Sequence, residues 1–555
     1  MPLNNGGFME KIQVTINDSS PIEIEKGTQL LELVPADEKE NYICAKVNHQ
    51  ILPLRFCLET NADIYFLTPK SSEGMEVYRS TLCFLLEKAA QKLLPEYTLT
   101  IMHSLGAGYY YEFENYTPTA KEIAALKNDM LNDITEKKAI IRKKISYHNA
   151  VTLLKEQNKK EQLLLLTTCA VPTVNCYQCD NFSGILQNIL AANTEQVPVF
   201  TLIPYENGFI LQFPSRKDLS VPKTFTEQKE IFKVYREYKN LDKFFHADTI
   251  GALNQIVINK KINDLILIEE ALQESRIIKL AQDIVSRKDV RLVAIAGPSS
   301  SGKTTFSKRL ELQLRAHGLT PRTISVDDYF VDREKTPLNE DGSLDFECIE
   351  AVNRELFNEH ISALLNGQKT KLARFDFISG KSSLTQEEYS LAPGEIIVVE
   401  GIHCLNEKMT YMIPSKNKYK IYISALTHIN IDKANRIPTT DNRVIRRLVR
   451  DYNYRGHSAE RTLEMWPAVR QGEENNIFPF QNDADGYFNS ALIYELGVLK
   501  VYAEPILRQV NPDSPYYGEA SRLLNFLSYF INIPADNIPP TSIVREFIGG
   551  SSLRY

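Results

Sequence analysis

The segment Gly297-Pro298-Ser299-Ser300-Ser301-Gly302-Lys303-Thr304 satisfies the pattern GxxxxGK[ST], and each fixed position has a task in holding a polyphosphate. Glycine lets the backbone approach the anion, successive N–H groups face it, lysine neutralises charge on its distal phosphates, and the Thr304 hydroxyl can bind a divalent metal. RLVAIAG before the motif reads as an apolar strand; an amphipathic helix follows it to about His317, where Gly318 stops it. Gly297, Ser299, Ser300, Ser301, Gly302, Lys303, Thr304 and Thr305 are therefore the candidate phosphate site. A glycine-rich turn that binds nothing is the alternative, and motif and context together weigh against it. EIIVVEG, from Glu395 to Gly401, reads as a strand ending in Glu400, and TISVDDYF as one ending in Asp327 and Asp328. A parallel sheet presents strand ends beside such a loop, so Thr304 and Glu400 are the metal candidates. A carboxylate at Asp327 can orient an acceptor hydroxyl and take its proton, although a helix cap or turn is the commoner use of such an aspartate.

The elements that must position these groups follow from the hydrophobic pattern. The 555 residues are too many for one ordinary core. KIQVTI, PIEIEKGT, ICAKVN and ADIYFLT alternate apolar and polar positions, which predicts a small β-rich module over residues 1–70. Residues 71–223 read as an α+β domain: a helix from Met75 to about Pro95, one long amphipathic helix from Thr119 to Lys144, then strands in CAVPTVNCYQC, VPVFTLIPY and GFILQF. Residues 224–288 are a helical connector. RLVAIAG, RTISVDD, EIIVVEG and YKIYISA alternate with helical stretches over 289–490, which predicts a parallel doubly wound sheet, and 491–555 form a helical C-terminal extension. The fold class is multi-domain, α/β and α+β.

The apolar fraction of 43%, charged fraction of 24% and mean hydropathy of -0.27 suit a globular chain. With 64 basic against 70 acidic residues and a net charge of -6, the molecule as a whole does not attract nucleic acid or anionic lipid, so any RNA contact must be local. The N-terminus lacks a basic stretch followed by an apolar one, and no uncharged apolar run reaches membrane length; the expectation is a cytoplasmic protein without membrane contact. Eight cysteines without dense spacing read as reduced thiols, and Cys176 and Cys179, with only Cys169 nearby, as buried thiols ahead of a zinc site.

From about Val290 to Ser490 the chain resembles the uridine kinase and phosphoribulokinase family of P-loop kinases. The resemblance rests on GPSSSGKTT, VDDYF, LDFECIEA, RFDFISGK, VVEGIH and RVIRRLVRDYNYRG, all in the family's order. It implies ATP with Mg2+, Lys303 and Asp327 as catalytic groups with Asp327 the general base, and Glu347 and Arg447 on ribose hydroxyls. It also implies Arg450 and Arg455 as a lid over phosphates, with Arg446 sharing that work, and Phe330, Phe375 and Phe377 around a base. Arg443, Arg446, Arg447 and Arg450 recur at helical spacing and can converge on a polyanion; a solvated basic helix is the alternative. Two positions depart from the family: Gly380 stands where pyrimidine nucleoside kinases read the base with histidine, and His457 replaces the last lid arginine.

Residues from about Lys11 to Pro69, with EKGT and AKVN, resemble a TGS domain. Met75 to about Phe213, including GAGYYYEF, is similar to the domain of threonyl-tRNA synthetases that removes mischarged serine; the REFIGGSS tail fits bacterial nucleoside kinases that combine both parts. The synthetase domain's HxxxH and CxxxH match Arg79, Cys83, Cys179 and Ser183 here, so the resemblance implies a scaffold or regulatory unit, not a hydrolase. An ATP-dependent nucleoside kinase is the leading reading. A sugar or sugar-phosphate kinase, an RNA-binding protein with a nucleotide switch and a free-standing aminoacyl-tRNA hydrolase are the rivals. RNA contact through the N-terminal half and self-association stay open.

Overall fold

The computed structural model describes residues 10–554 apart from 36–37, 186–187, 339–341, 343 and 377, and for 240–245 the backbone only. In KIQVTI and ADIYFL the inward-turned side chains are every second residue, Ile12 and Val14, then Ala62, Ile64 and Phe66. β1 (Lys11–Ile16), β2 (Ile22–Glu25), β3 (Cys44–Val47), β4 (Gln50–Pro53) and β5 (Ala62–Leu67) form one sheet in the order β2-β1-β5-β3-β4, with Leu30 of the one-turn α1 (Leu30–Leu33) in its core.

Ser71 caps α2 (Ser72–Leu93) by accepting from the Gly74 N–H at 3.0 Å. β6 (Leu99–Leu105) and β7 (Gly108–Phe113) follow, and then a correction to the long helix expected from Thr119 to Lys144. α3 (Ala120–Thr135) opens with a capping box between Thr119 and Glu122 but stops before Lys137, whose φ of 52° is not helical. IRKKIS beyond it is β8 (Ile141–Ser146), because its backbone finds a partner in antiparallel pairing with β9 (Thr173–Cys179). Tertiary pairing overrides the helical propensity of its lysines. α4 (Tyr147–Glu156) and α5 (Lys160–Thr168) lie between those strands in sequence, and β10 (Phe182–Ile185), β11 (Thr201–Tyr205) and β12 (Gly208–Gln212) follow. The result is a three-stranded sheet β10-β9-β8 and a four-stranded sheet β11-β12-β7-β6, with α2 and α3 sharing one core with them.

α6 (Lys229–Phe245), α7 (Ile250–Ile258) and α8 (Ile262–Ser286) lead to the second half. There β13 (Leu292–Ala296), α9 (Lys303–Ala316), β14 (Thr320–Ser325), α10 (Arg354–Leu365), the hairpin β15 (Thr370–Asp376) and β16 (Lys381–Tyr389), β17 (Glu395–Glu400), β18 (Lys418–Ser424), α11 (Thr439–Arg455), α12 (Ala459–Asn476) and β19 (Gly486–Asn489) build a parallel sheet in the order β14-β17-β13-β18-β19. Strands β13, β17 and β18 are buried along nearly their whole length, as strands covered on both faces must be. The tail adds α13 (Glu495–Leu507), α14 (Tyr517–Leu527) and the short α15 (Arg545–Ile548).

The halves are joined through the loop between β18 and α11. Its Lys433 O accepts from Ile101 N at 2.9 Å, Asn430 Nδ2 donates to Ile101 O at 2.7 Å, and Lys433 Nζ pairs with Glu114 and Asp248 at 2.9 and 2.8 Å. No helix among the described residues is long and apolar enough to cross a membrane.

Candidate active site

The phosphate loop lies between β13 and α9, with Ser300 and Gly302 at φ of 58° and 80°. Its carbonyls are held from behind by two arginines of α11: Arg443 Nε donates to Ser299 O at 2.9 Å and Arg446 Nη1 to Ser300 O at 3.2 Å. Both are fully buried and ion-paired, Arg443 with Glu473 and Arg446 with Glu495. The resemblance implies a share in the lid for Arg446 and the spacing turns both toward a polyanion; helical spacing does bring four arginines to one broad face, but these two brace the loop's carbonyls. Lys303 Nζ donates to Gly297 O and Pro298 O at 2.9 and 3.1 Å, and burial depresses its pKa against the opposing pull of Glu400. The hydroxyls of buried Ser300 and Ser301 have no hydrogen-bond partner among the described residues. Thr305 belongs to the first turn of α9, where N–H groups are unpaired within the helix.

Strand order decides which carboxylate meets the loop. β17 pairs directly with β13, so Glu400 at its end faces Thr304, whose hydroxyl donates to Oε1 at 3.5 Å. Burial pushes the Glu400 carboxyl up to about 7, and its Oε2 is buried without a hydrogen-bond partner among the described residues. Asp327 and Asp328 sit just beyond β14 on a 3₁₀ turn, Val326–Tyr329, and not on the strand end itself. Ser325 starts that turn by accepting from Asp327 N at 3.2 Å. The two aspartates then part. Asp328 Oδ1 is turned toward Phe375 N at 3.5 Å, while Asp327 keeps access to solvent and feels the charge of Lys303. Crowding by protein raises the Asp327 pKa.

At the acceptor end, burial and the neighbouring Glu473 push Glu347 up to about 7, with Arg447 opposing. Arg447 Nη1 donates to Ser299 Oγ at 2.9 Å, linking this end to the phosphate loop. Phe330 and Phe375 meet edge to face with centroids 5.7 Å apart, and Phe346, which sequence reasoning missed, meets Phe330 at 6.0 Å. Phe377 lies outside the described residues. Gly380 has φ of 70°, and a Cβ there would stand 2.8 Å from Arg333 Nε, so a histidine would be strained and would have to displace Arg333.

The C-terminal end of α11 is organised by Asp451, another residue the sequence reading missed. It is fully buried and pairs with Arg447, Arg450 and Arg455 at 3.1, 3.4 and 3.2 Å, with His457 at 3.9 Å. Its spacing of four from both Arg447 and Arg455 is the signal that was available. Glu473 is also new: besides Arg443 it accepts from the Ser299 N–H at 2.9 Å.

The N-terminal positions are arranged differently. Arg79 stacks on Phe213 at 5.7 Å, and the Cys83 thiol, pushed up to about 12 by burial, lies with Tyr111 and Arg79. Cys179 neighbours Lys88 and Asp133, and Ser183 neighbours Cys176. Cys176 and Cys179, three apart on β9, point to opposite faces of the strand.

Residues 292–493 match the Phosphoribulokinase / Uridine kinase family. Curated relatives include threonine–tRNA ligases, from Pelobacter propionicus at 23% identity over 262 residues, 44% of this chain and 41% of that one, and from Desulforamulus reducens at 28% over 179 residues, 31% and 28% of the two. The chain thus spans less than half the length of these relatives. Among solved structures, a possible uridine kinase from Bacillus stearothermophilus has 20% identity and a TM-score of 0.26, covering 39% of this chain and 98% of that one. D-glycerate 3-kinase from Cryptococcus neoformans var. grubii has 14% identity and a TM-score of 0.26, covering 38% and 89%. The chain therefore joins a P-loop domain of the phosphoribulokinase/uridine kinase kind in its C-terminal half to threonyl-tRNA-synthetase-like sequence in its N-terminal half.

Proposed function

We propose that residues 289–490 transfer the γ-phosphoryl group of ATP to a nucleoside, at its 5′-hydroxyl. The observation that carries this reading is that Glu347 and Glu400, from separate segments, each feel the charges of both Lys303 and Asp327 at the end of the parallel sheet that carries the phosphate loop, where the Thr304 hydroxyl meets Glu400 at 3.5 Å. Partly enclosed groups of opposite sign with shifted pKa values, converging in this way, are a functional-site signature. Lys303 neutralises the phosphate charge that grows in the transition state. Asp327 accepts the proton of the acceptor hydroxyl as its oxygen attacks the γ-phosphorus; the bond from that phosphorus to the β–γ bridging oxygen breaks, and ADP leaves with that electron pair. Glu347 and Arg447 orient the acceptor through its ribose hydroxyls, and Arg450 and Arg455, held by Asp451, cover the phosphates.

The Thr304 hydroxyl and the Glu400 carboxylate, one of whose oxygens lacks a hydrogen-bond partner among the described residues, are hard oxygen donors that fit magnesium. When bound with ATP the ion spreads charge across the β and γ phosphates. A sugar or sugar-phosphate acceptor is the second reading, favoured by the Arg333 guanidinium beside Gly380, where a base reader would stand. An ADP-release screen of the whole chain against nucleosides, pentoses and pentose phosphates tests both: turnover of nucleosides is expected, and turnover of pentose phosphates alone overturns the nucleoside assignment.

A further inference from the structure

The C-terminal tail reaches the phosphate loop. Ile543 packs so closely on Gly302 that a Cβ there would stand 2.6 Å from its Cγ2. Phe547 lies under the Arg446 guanidinium at 5.0 Å, and its carbonyl accepts from Asn453 Nδ2 of α11 at 3.1 Å. Ile543 and Phe547 are fully buried. Clamped between the loop and α11, the tail presents Glu546, whose Oε2 accepts from the Thr305 N–H at 3.2 Å and from the Thr305 hydroxyl at 2.7 Å.

Those two donors lie in the first turn of α9, where backbone N–H groups and the helix dipole favour an anion. The neighbouring phosphate loop, with buried, partnerless Ser300 and Ser301 hydroxyls and the Lys303 ammonium, identifies that anion as a polyphosphate. The charge of Glu546 is also felt at Lys303, Glu400 and Arg450. A second carboxylate on the loop, Glu473, is neutralised by Arg443 and Arg470, whereas Glu546 forms no ion pair among the described residues. Glu473 is therefore part of the scaffold. Glu546 is a negative charge held in place by hydrogen bonds alone.

We infer that Glu546 is a built-in competitor of the nucleotide: its carboxylate occupies the place on Thr305 that a phosphate of the bound nucleotide takes, and binding must turn it out. The inference rests on the ATP-dependent reading of the phosphate loop. Displacement needs only rotation of a half-buried side chain, since Ile543 and Phe547 anchor the backbone on either side. The tail thereby sets nucleotide affinity, and anything that shifts α11 through Asn453 and Arg446 changes how firmly Glu546 sits.

The test measures ADP affinity by calorimetry on the full chain and on Glu546→Gln and Glu546→Ala, with thermal midpoints as controls. Removing the competing charge is expected to tighten ADP binding by roughly five- to tenfold with little change in midpoint. A merely structural tail contact predicts the opposite sign, weaker binding. Unchanged or weaker ADP binding in folded variants overturns the inference and leaves the kinase reading standing. If neither the parent chain nor the variants bind ADP, the kinase reading falls and the inference with it.

Discussion

The carboxylates facing the phosphate loop and those inside the N-terminal half are handled in opposite ways, although the C-terminal half also has balanced buried pairs in Arg443–Glu473 and Arg446–Glu495. There Glu347 and Glu400 are half-buried with no cation that offsets their desolvation, and both are pushed up to about 7. In the N-terminal half the buried Asp133 is matched by Lys88 at 2.6 Å and Lys138 at 2.7 Å, and Lys138 also binds Asp180 at 2.7 Å. His103 there is pushed down to about 3 by burial and is stacked on Tyr235 with centroids 4.0 Å apart. Charges balanced within the fold need nothing further, whatever their net effect on stability, while charges left to be completed mark a place where ligands can finish the electrostatics.

The largest expected effect comes from Lys303→Ala, which removes the cation facing the distal phosphates; ADP release should fall on the order of 10³-fold, and an unchanged rate breaks the comparison at its centre. Asp327→Asn should lower transfer on the order of 10²-fold or more while ATP binding persists, because the amide keeps the shape but accepts no proton. Asp328, turned toward the β15–β16 hairpin, is the internal control: if Asp328→Asn is the inactive variant, the base has been assigned to the wrong carboxylate.

Selectivity should be a smaller effect. With Gly380 in place of a base reader, Phe330, Phe375 and Phe346 discriminate shape only modestly, so kcat/KM for uridine, cytidine, adenosine, guanosine and inosine is expected to show broad use or a preference outside the pyrimidines. A 2′-deoxynucleoside should be about tenfold worse or more, through lost contacts to Glu347 and Arg447. Equal use of the deoxynucleoside removes the ribose assignment; strict preference for uridine and cytidine shows that another residue reads the base.

Glu347 also gives a pH signature. Its carboxyl is raised in the folded chain, so its contribution to stability is fully present below the unfolded value and is lost as pH rises through about 7. The thermal midpoint of the unliganded chain should therefore fall more steeply from about pH 5 to about pH 8 in the parent than in Glu347→Gln. Equal slopes remove that assignment. The smallest effects belong to the N-terminal half: the full chain should not release serine from mischarged threonine tRNA, and Ser183→Ala should leave phosphoryl transfer within about twofold. Measurable deacylation contradicts the scaffold reading.

The coupling between the halves was not legible in the sequence. Arg436, just ahead of α11, stacks on Tyr109 of the N-terminal half at 4.9 Å and donates to Ser104 Oγ at 3.4 Å, yet nothing local distinguishes it from a solvated arginine. The β8 strand was misread for a related reason. Its lysines favour a helix in isolation, and only β9 supplies the pairing that makes it a strand.

What the sequence determined by itself was whatever a contiguous stretch can encode. The phosphate loop is eight consecutive residues whose chemistry resides in their own backbone, and the strand-to-helix context around it is written in local periodicity. Glu400 and Asp327 were legible because they follow apolar strands directly. Tertiary structure alone decided that β17 and not β14 lies beside β13, that Arg443 and Arg446 brace the loop, and that Phe346 joins the aromatic cluster. It also decided that Glu473 and Glu546, 174 and 241 residues from their partners Ser299 and Thr305, close on the phosphate loop. Contacts at such separations depend on how whole elements pack, and a side chain's type and neighbours in sequence carry no information about the element it will face.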